Sequence, residues 1–542
     1  MQLNSSLGQL LKPAKPVPTA AQRPAPRGLV VASTLIVGLV LLPLAYLLLR
    51  AAAAPPSAWQ QLLQPRTLAI MANSALLTVA VTASSIALAV PLAWLLVRSD
   101  LPCRRLWTVL MILPLVVPSY VGAFSLLAMF GPRGILQGWL APLGVQRLPE
   151  IYGLPGAWLT LTLFTYPYVL LTVRAGWRRL DASVEEAGRS LGHGPWGVFR
   201  RVALPHLRPS IAAGGLLVAL YTLSDFGAVS LLRANVFTQA IYTQYRSSFD
   251  RSYAALLSLV LVAATLAILW AEQRARGRTR TNRAHGSSSR PLRTVALGRS
   301  RWPALLLVGA VALLALALPI GVMLDWLALG LQRGETWPGL GRAVFNSLSA
   351  AGLAAMVTVL AGLPIAALAA RYHTPLARVL ERASYIGFGL PGVVVGLSLV
   401  YFGANFAPWL YQTLALLVFA YGVRFLPEAM GATRSALVQI SPRLEEAARG
   451  LGLSPLRASL RVTLPLARPG ILAGAALVFL TVIKELPLTL MLAPTGFATL
   501  ATQIWSATAE AFYARAALPA LLLLAVSSLS VAIILSQDRD HA

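Results

Sequence analysis

Cysteine is almost missing: Cys103 is the one thiol in 542 residues, so the chain has no means of closing a disulfide on itself. Charge is scarce as well. Asp, Glu, Lys and Arg make up 12% of the residues, where a soluble domain carries about 25%, and the shortage excludes an ordinary water-facing surface. Acids are the scarcer sign, 18 against 45 Lys plus Arg, for a formal charge of +27. The five histidines form no cluster inside the apolar runs, which argues against an intramembrane enzyme. Neither G-x-x-x-x-G-K-(S/T) nor H-E-x-x-H occurs, so the sequence reads as a chain without its own phosphate cradle, and energy for any ATP-driven work must arrive from a separate subunit.

What is abundant is apolar, 57% of the residues. Runs near the roughly 20 residues needed to cross a hydrocarbon core recur along the whole chain. They fall near residues 29–49, 72–97, 107–130, 154–173, 211–231 and 253–270, then near 304–326, 345–370, 383–402, 409–425, 471–492 and 517–535. Such continuous runs lack the alternation of barrel strands, so they predict an all-α polytopic membrane protein with about twelve transmembrane helices. The first run is too long for a signal-peptide core and has no small-residue cleavage site after it; it is expected to stay as a span.

The basic excess is unevenly placed. Lys12, Lys15, Arg23 and Arg27 precede the first run, and nine arginines from Arg274 to Arg301 lie between the sixth and seventh. Alternate crossings put both groups on one side, the positive-inside pattern of a multi-pass inner-membrane protein with both termini cytoplasmic, and not a nucleic-acid footprint. Cys103 then falls in a short cytoplasmic loop. The expected division is a basic tail (1–28), a first half (29–270), a basic linker (271–302), a second half (303–536) and a short tail (537–542). The linker is rich in Gly, Ser and Arg, and its charge also suits anionic headgroups of the bilayer.

The halves repeat each other. Asn73, Pro91, Arg98 and Pro118 recur 273 residues on as Asn346, Pro364, Arg371 and Pro391. From the fourth run onward the offset is 260, pairing Pro167 with Pro427, Arg174 with Arg434, Gly192 with Gly452 and Pro205 with Pro465. The change places a deletion in a loop on the external side of the second half, and six crossings per half give both halves one orientation.

One polar passage is repeated in register: EEAGRSLGHGPWGVFRRVALPHLRPSI from Glu185 and EEAARGLGLSPLRASLRVTLPLARPGI from Glu445. Glu186, Ala187, Gly188, Gly192, Leu204 and Pro205 match Glu446, Ala447, Ala448, Gly452, Leu464 and Pro465. Acidic residues in the first turn suit a short helix, with Asp181 or Ser183, and Ser441, as caps. Gly192 and Gly452 suit a left-handed stop, Pro195 and Pro455 a restart, and the second short helix is expected to end before Pro205 or Pro465. The product is a helix-turn-helix offering Ala, Leu and Phe side chains to a groove on a cytosolic partner.

That pattern resembles the EAA loop of the permeases of binding-protein-dependent ABC importers, and the fused arrangement is similar to the ferric-iron importer permeases. LPLVVPSYVGAFSLLAMFGPRG from Leu113, SDFGAV from Ser224 and KELPLTLMLAPTGFATLATQIW from Lys484 support the resemblance. It implies the type I importer architecture of two homologous six-helix halves, two copies of a separate ATPase that hold ATP and Mg, and a periplasmic binding protein that delivers cargo. Ferric iron is the cargo it implies first, with thiamine or another small solute as alternatives. Gly188 departs from the usual Ala, at a cost of about 1 kcal/mol in helix propensity.

Asp225 and Glu485 are acids well inside predicted spans, and they obey the 260 offset. Ionisable residues there mark pathways by default, so Asp225, Glu485 and Tyr221 are candidate oxygen donors to a hard cation in transit, with no stable metal site. The bland reading makes Glu485 the partner of Lys484 or another base and Asp225 a cap where a helix breaks before Gly227. A proton-coupled carrier would also use two such acids. His193 and His206 flank the first loop without counterparts in the second, which counts against a metal there.

Overall fold

The computed structural model describes residues 25–132, 134–178, 180, 182–247, 252–276, 294–372 and 374–537. Most of the expected basic tail, linker and C-terminal tail, and Asp181, lie outside the described residues.

In the first half, α1 (Arg27–Ala52), α2 (Pro65–Arg98), α3 (Arg104–Ile112), α4 (Ser119–Phe130) and α5 (Leu154–Arg178) lead to α6 (Ala182–Ser190), α7 (Leu204–Ser224), α8 (Phe237–Ser247) and α9 (Ser252–Arg276). The second half opens with α10 (Arg301–Ala312) and α11 (Leu318–Gln332), joined by a π turn. It continues with α12 (Leu340–Arg371), α13 (Pro375–Ser384), α14 (Gly392–Phe406), α15 (Leu414–Gln439), α16 (Pro442–Gly450), α17 (Leu464–Ile483), α18 (Leu500–Ala509) and α19 (Tyr513–Gln537). Among the described residues nine helices are long and apolar enough to cross a membrane and a bent pair makes a tenth; two shorter apolar helices, Gly392–Phe406 and Tyr513–Leu529, overlap the ninth and twelfth of the expected runs. Leu35, Leu76, Leu306 and Phe345 lie exposed on them, as lipid-facing residues should.

Four expected spans are not continuous. The third bends by 99° where the chain passes through Pro118, and its counterpart breaks before Pro391. Proline removes a backbone donor and pushes the preceding residue out of the helical region, so a run uniform in hydropathy is cut at these points. The fifth and eleventh break at Asp225 and at Lys484 to Leu486, each followed by a short helix, Gly227–Leu231 or Pro487–Leu492. The tenth starts at Leu414, where the Thr413 hydroxyl accepts the Leu416 N–H, and runs to Gln439, well past the expected end at 425.

Each half is centred on three helices packed on one another: α2, α5 and α7, and their equivalents α12, α15 and α17. Small residues let the backbones close, since a Cβ at Gly214 would sit 2.6 Å from Val169 Cα and one at Gly474 would sit 3.1 Å from the Ala429 carbonyl oxygen. The first helices reach across the halves. α1 packs on α9 of its own half and on α12, α13 and α14 of the second, while α11 packs on α19 of its own half and on α4 of the first.

The repeated Asn-Ser pair does the same work twice. Asn73 donates to the Asn235 carbonyl (3.2 Å) and Asn346 to that of Ala498 (2.9 Å). Ser74 accepts the Phe237 N–H and Ser347 the Leu500 N–H, so α8 and α18 are pinned alike.

Candidate functional site: paired loops and a central cavity

The two polar loops fold alike. α6 and α16 each close in a Schellman turn: the His193 and Leu453 N–H groups reach the Gly188 and Ala448 carbonyls, and Gly192 (φ +81°) and Gly452 (φ +92°) take the left-handed conformation expected of them. Ser441 occupies the N-cap of α16, yet its side chain makes no capping bond. Glu186, Ala187, Glu446 and Ala447 are exposed on the short helices. Leu191, Trp196, Leu451 and Leu456 are exposed beside them. Phe199 is not offered outward, because it stacks between Trp177 and Trp196.

The small departure at Gly188 has a local cause. A Cβ there would meet Val198 and Val202 at 3.5 and 3.2 Å, whereas Ala448 has Ala458 in the place of Val198, so the methyl groups are traded across the contact.

The second short helices do not end before Pro205 and Pro465. Pro195–Val198 passes through a π turn, Phe199–Ala203, directly into α7, and Pro455–Ala458 passes through Ser459–Thr463 into α17. The wider π turn makes room for the proline ring, which would otherwise meet the carbonyl four residues earlier. Each loop is therefore rigidly joined to the helix that runs into the membrane.

Both loops are rooted at equivalent helix ends. Arg98, closing α2, forms a buried ion pair with Glu185, and Arg371, closing α12, donates to the Ile440 carbonyl (2.9 Å) just before α16. Glu445, the counterpart of Glu185, instead accepts from Ser459 (3.3 Å) and Thr463 (3.1 Å). Val295, at the end of the linker, bridges to Ser99, so the linker rejoins the fold on the same face.

At the other end of α7 and α17 the two breaks face one cavity of about 190 Å³, lined from both halves. The structure brings Tyr221, Asp225 and Glu485 together there. Asp225 accepts from Ser119 and from the Ala228 and Val229 N–H groups (3.1 and 3.3 Å), so it caps the short helix and lines the cavity at once. Glu485 is held by Arg424 at 3.8 Å, and Gly392 makes that possible: a Cβ there would lie 2.1 Å from the Arg424 Nη1. Ser119 fills the equivalent of Gly392 in the first half, and Phe164 the equivalent of Arg424. Lys484 does not pair with Glu485; its Nζ donates across the halves to the Leu115 carbonyl (2.9 Å).

The sequence reading missed Arg424 and Glu428 because the tenth span was expected to end at 425, which put Arg424 at its edge and Glu428 beyond it. The 260 offset is the signal for the second, matching Glu428 to Tyr168, both of which line the cavity. Glu428 accepts from Thr481 (2.9 Å), the counterpart of Tyr221. On the side of α8 and α18, Phe226 covers the cavity, its ring 4.7 Å from Tyr242 and 5.2 Å from Trp505.

A duplicated helical membrane protein with matched exposed loops at one face and a polar cavity between its halves defines a transport permease. The family described as "Binding-protein-dependent transport system inner membrane component" matches residues 85–280 and 362–539, and the chain belongs to it. It is 34% identical over 506 residues to the Fe(3+)-transport system permease protein FbpB 2 of Haemophilus influenzae, covering 92% of this chain and 96% of that one. Shorter matches, 30% identical over 184 residues and 31% over 197, reach the sulfate transport permease CysT and the molybdenum transport permease ModB of Escherichia coli, 33% and 34% of this chain and 65% and 82% of theirs. The chain is thus a multi-pass membrane subunit of an ABC importer, a transport component.

Proposed function

We propose that this permease carries ferric iron, received from a periplasmic binding protein and moved by alternating access, with two ATPase subunits seated on the loops at Glu186 and Glu446. Both termini and both loops then face the cytoplasm. ATP and Mg belong to the partner, and this chain supplies the levers. The observation that carries the reading is the rigid path from each exposed loop helix, through one continuous helix, to a carboxylate at the central cavity.

Fe³⁺ is a hard cation suited to the oxygens of Asp225, Glu428, Glu485 and Tyr221. Arg424 and Lys484 keep the cavity close to neutral, so a passing ion is met without being trapped. Phe226 is the outer cover that has to move aside when the halves rock. The same two cations give an oxyanion cargo some support, and the kinship to the sulfate and molybdenum permeases is in keeping with it.

The test is uptake in cells lacking the chain, with iron, sulfate, molybdate and thiamine offered separately. Iron uptake restored by the gene supports the reading, and dependence on another solute alone overturns the cargo assignment. Replacing Glu186 and Glu446 together by Ala should lower uptake by more than about tenfold while the protein still inserts. Undiminished uptake removes the loops from the coupling. Purification separates this from a proton-coupled carrier, because an importer subunit brings down an ATPase.

A further inference from the structure

A second cavity, of about 320 Å³, opens beside α13 at the loop-bearing end of the second half. That is within the range of ligand pockets, about 300–1,000 Å³. Its lining carries Arg378, Arg382 and Arg434 against a single acid, Glu381. Glu381 is already engaged, held by Arg434 at 3.0 Å, so it does not neutralise the other two. Arg378 and Arg382 are exposed, and no side-chain partner for either is found among the described residues. They stand one helical turn apart on α13, where two guanidinium forks converge on one volume. The hydroxyl-bearing Tyr372 and Tyr385 complete the polar wall.

The same helix also presents Leu376 and Val379 outward, 47% and 60% exposed. An amphipathic helix of this kind lies at the boundary of headgroups and acyl chains. The pocket differs from its counterpart in the first half, which keeps Arg105 and Arg174 in the places of Arg378 and Arg434 but has Thr108 and Val109 where Glu381 and Arg382 stand.

We infer that this pocket binds a phosphate group, and that its source is the headgroup of an anionic phospholipid whose acyl chains lie along Leu376 and Val379. Basic pockets between membrane helices at an interface take such headgroups.

The full-length permease in neutral detergent, titrated with phosphatidylglycerol, phosphatidylcholine or inorganic phosphate while its melting temperature is followed, tests this. Phosphatidylglycerol should give a saturable rise and phosphatidylcholine none. Arg378→Gln with Arg382→Gln should raise the half-saturating concentration by about tenfold or more. Arg382→Val, which installs the residue the first half uses, keeps the test available if the double variant fails to fold, and should weaken binding several-fold. Leu376→Gln with Val379→Gln should weaken the lipid and leave inorganic phosphate unaffected. Equal responses to both lipids, or unchanged half-saturation in the arginine variants, overturn the site. Inorganic phosphate matching phosphatidylglycerol, with the apolar variant silent, overturns the lipid as its source.

Discussion

At the scale of single residues, the two halves solve the same problem with different chemistry. Asp225 is satisfied by a serine hydroxyl and the Ala228 and Val229 N–H groups, whereas Glu485 accepts the Leu488 N–H (3.5 Å), the equivalent of the Ala228 bond, and has as its counter-charge at 3.8 Å an arginine that a glycine admits. Beneath the loops the asymmetry is sharper. Glu185 is ion-paired to Arg98 with both side chains almost wholly buried, whereas Glu445 is half-buried and held by two hydroxyls. Breaking a buried ion pair by removing one partner costs about 3–5 kcal/mol. Losing hydroxyl bonds to a carboxylate costs about 1–3 kcal/mol. Glu185→Ala should therefore lower the thermal stability of the solubilised permease clearly more than Glu445→Ala, although the two glutamates occupy the same place in the repeat. Equal losses would show that the Arg98 pair is no stronger a root than the pair of hydroxyls.

At the scale of elements, the joint between loop and span decides whether motion is transmitted. The left-handed turns at Gly192 and Gly452 were legible because few residues besides glycine accept that backbone. The continuation through Pro205 and Pro465 was not. A Leu-Pro pair reads as a stop, and the π turn that absorbs the ring carries no composition of its own: FRRVA and SLRVT are ordinary helical residues. The breaks at Asp225 and Glu485 were half legible, since an acid and a glycine or proline stood in an apolar run, yet the run length alone favoured a single span. If the unbroken helix is the lever, a pair of glycines inserted after Ala203 and after Thr463 should soften it, at about 1 kcal/mol of helix propensity per residue. The ATPase should still copurify with that variant while uptake falls severalfold or more. Full uptake with both insertions in place would mean that the loops act through another contact.

At the scale of the whole molecule, the repeat and the all-helical membrane class were readable because lipid enforces long apolar helices and the offset between copies held over hundreds of residues. The exchange of first helices was not readable. A face that meets lipid and a face that meets another helix are both apolar, so α1 carries no mark of its destination on α12, α13 and α14. The exchange makes each half incomplete alone: without α1 the second half exposes the side of α12 and α14 that α1 covers, and without α11 the first half exposes α4. Cutting the chain within residues 277–293 should consequently leave two pieces that copurify and restore uptake when coexpressed, held by packing and not by the linker. The second piece by itself should be degraded. A first piece lacking residues 1–53 keeps α2, α5 and α7 intact, yet it should rescue the second piece poorly, and protease sensitivity should rise in α12 to α14. A second piece that is stable alone, or rescued equally well without α1, would show that the exchanged helix is an ornament on two independent bundles.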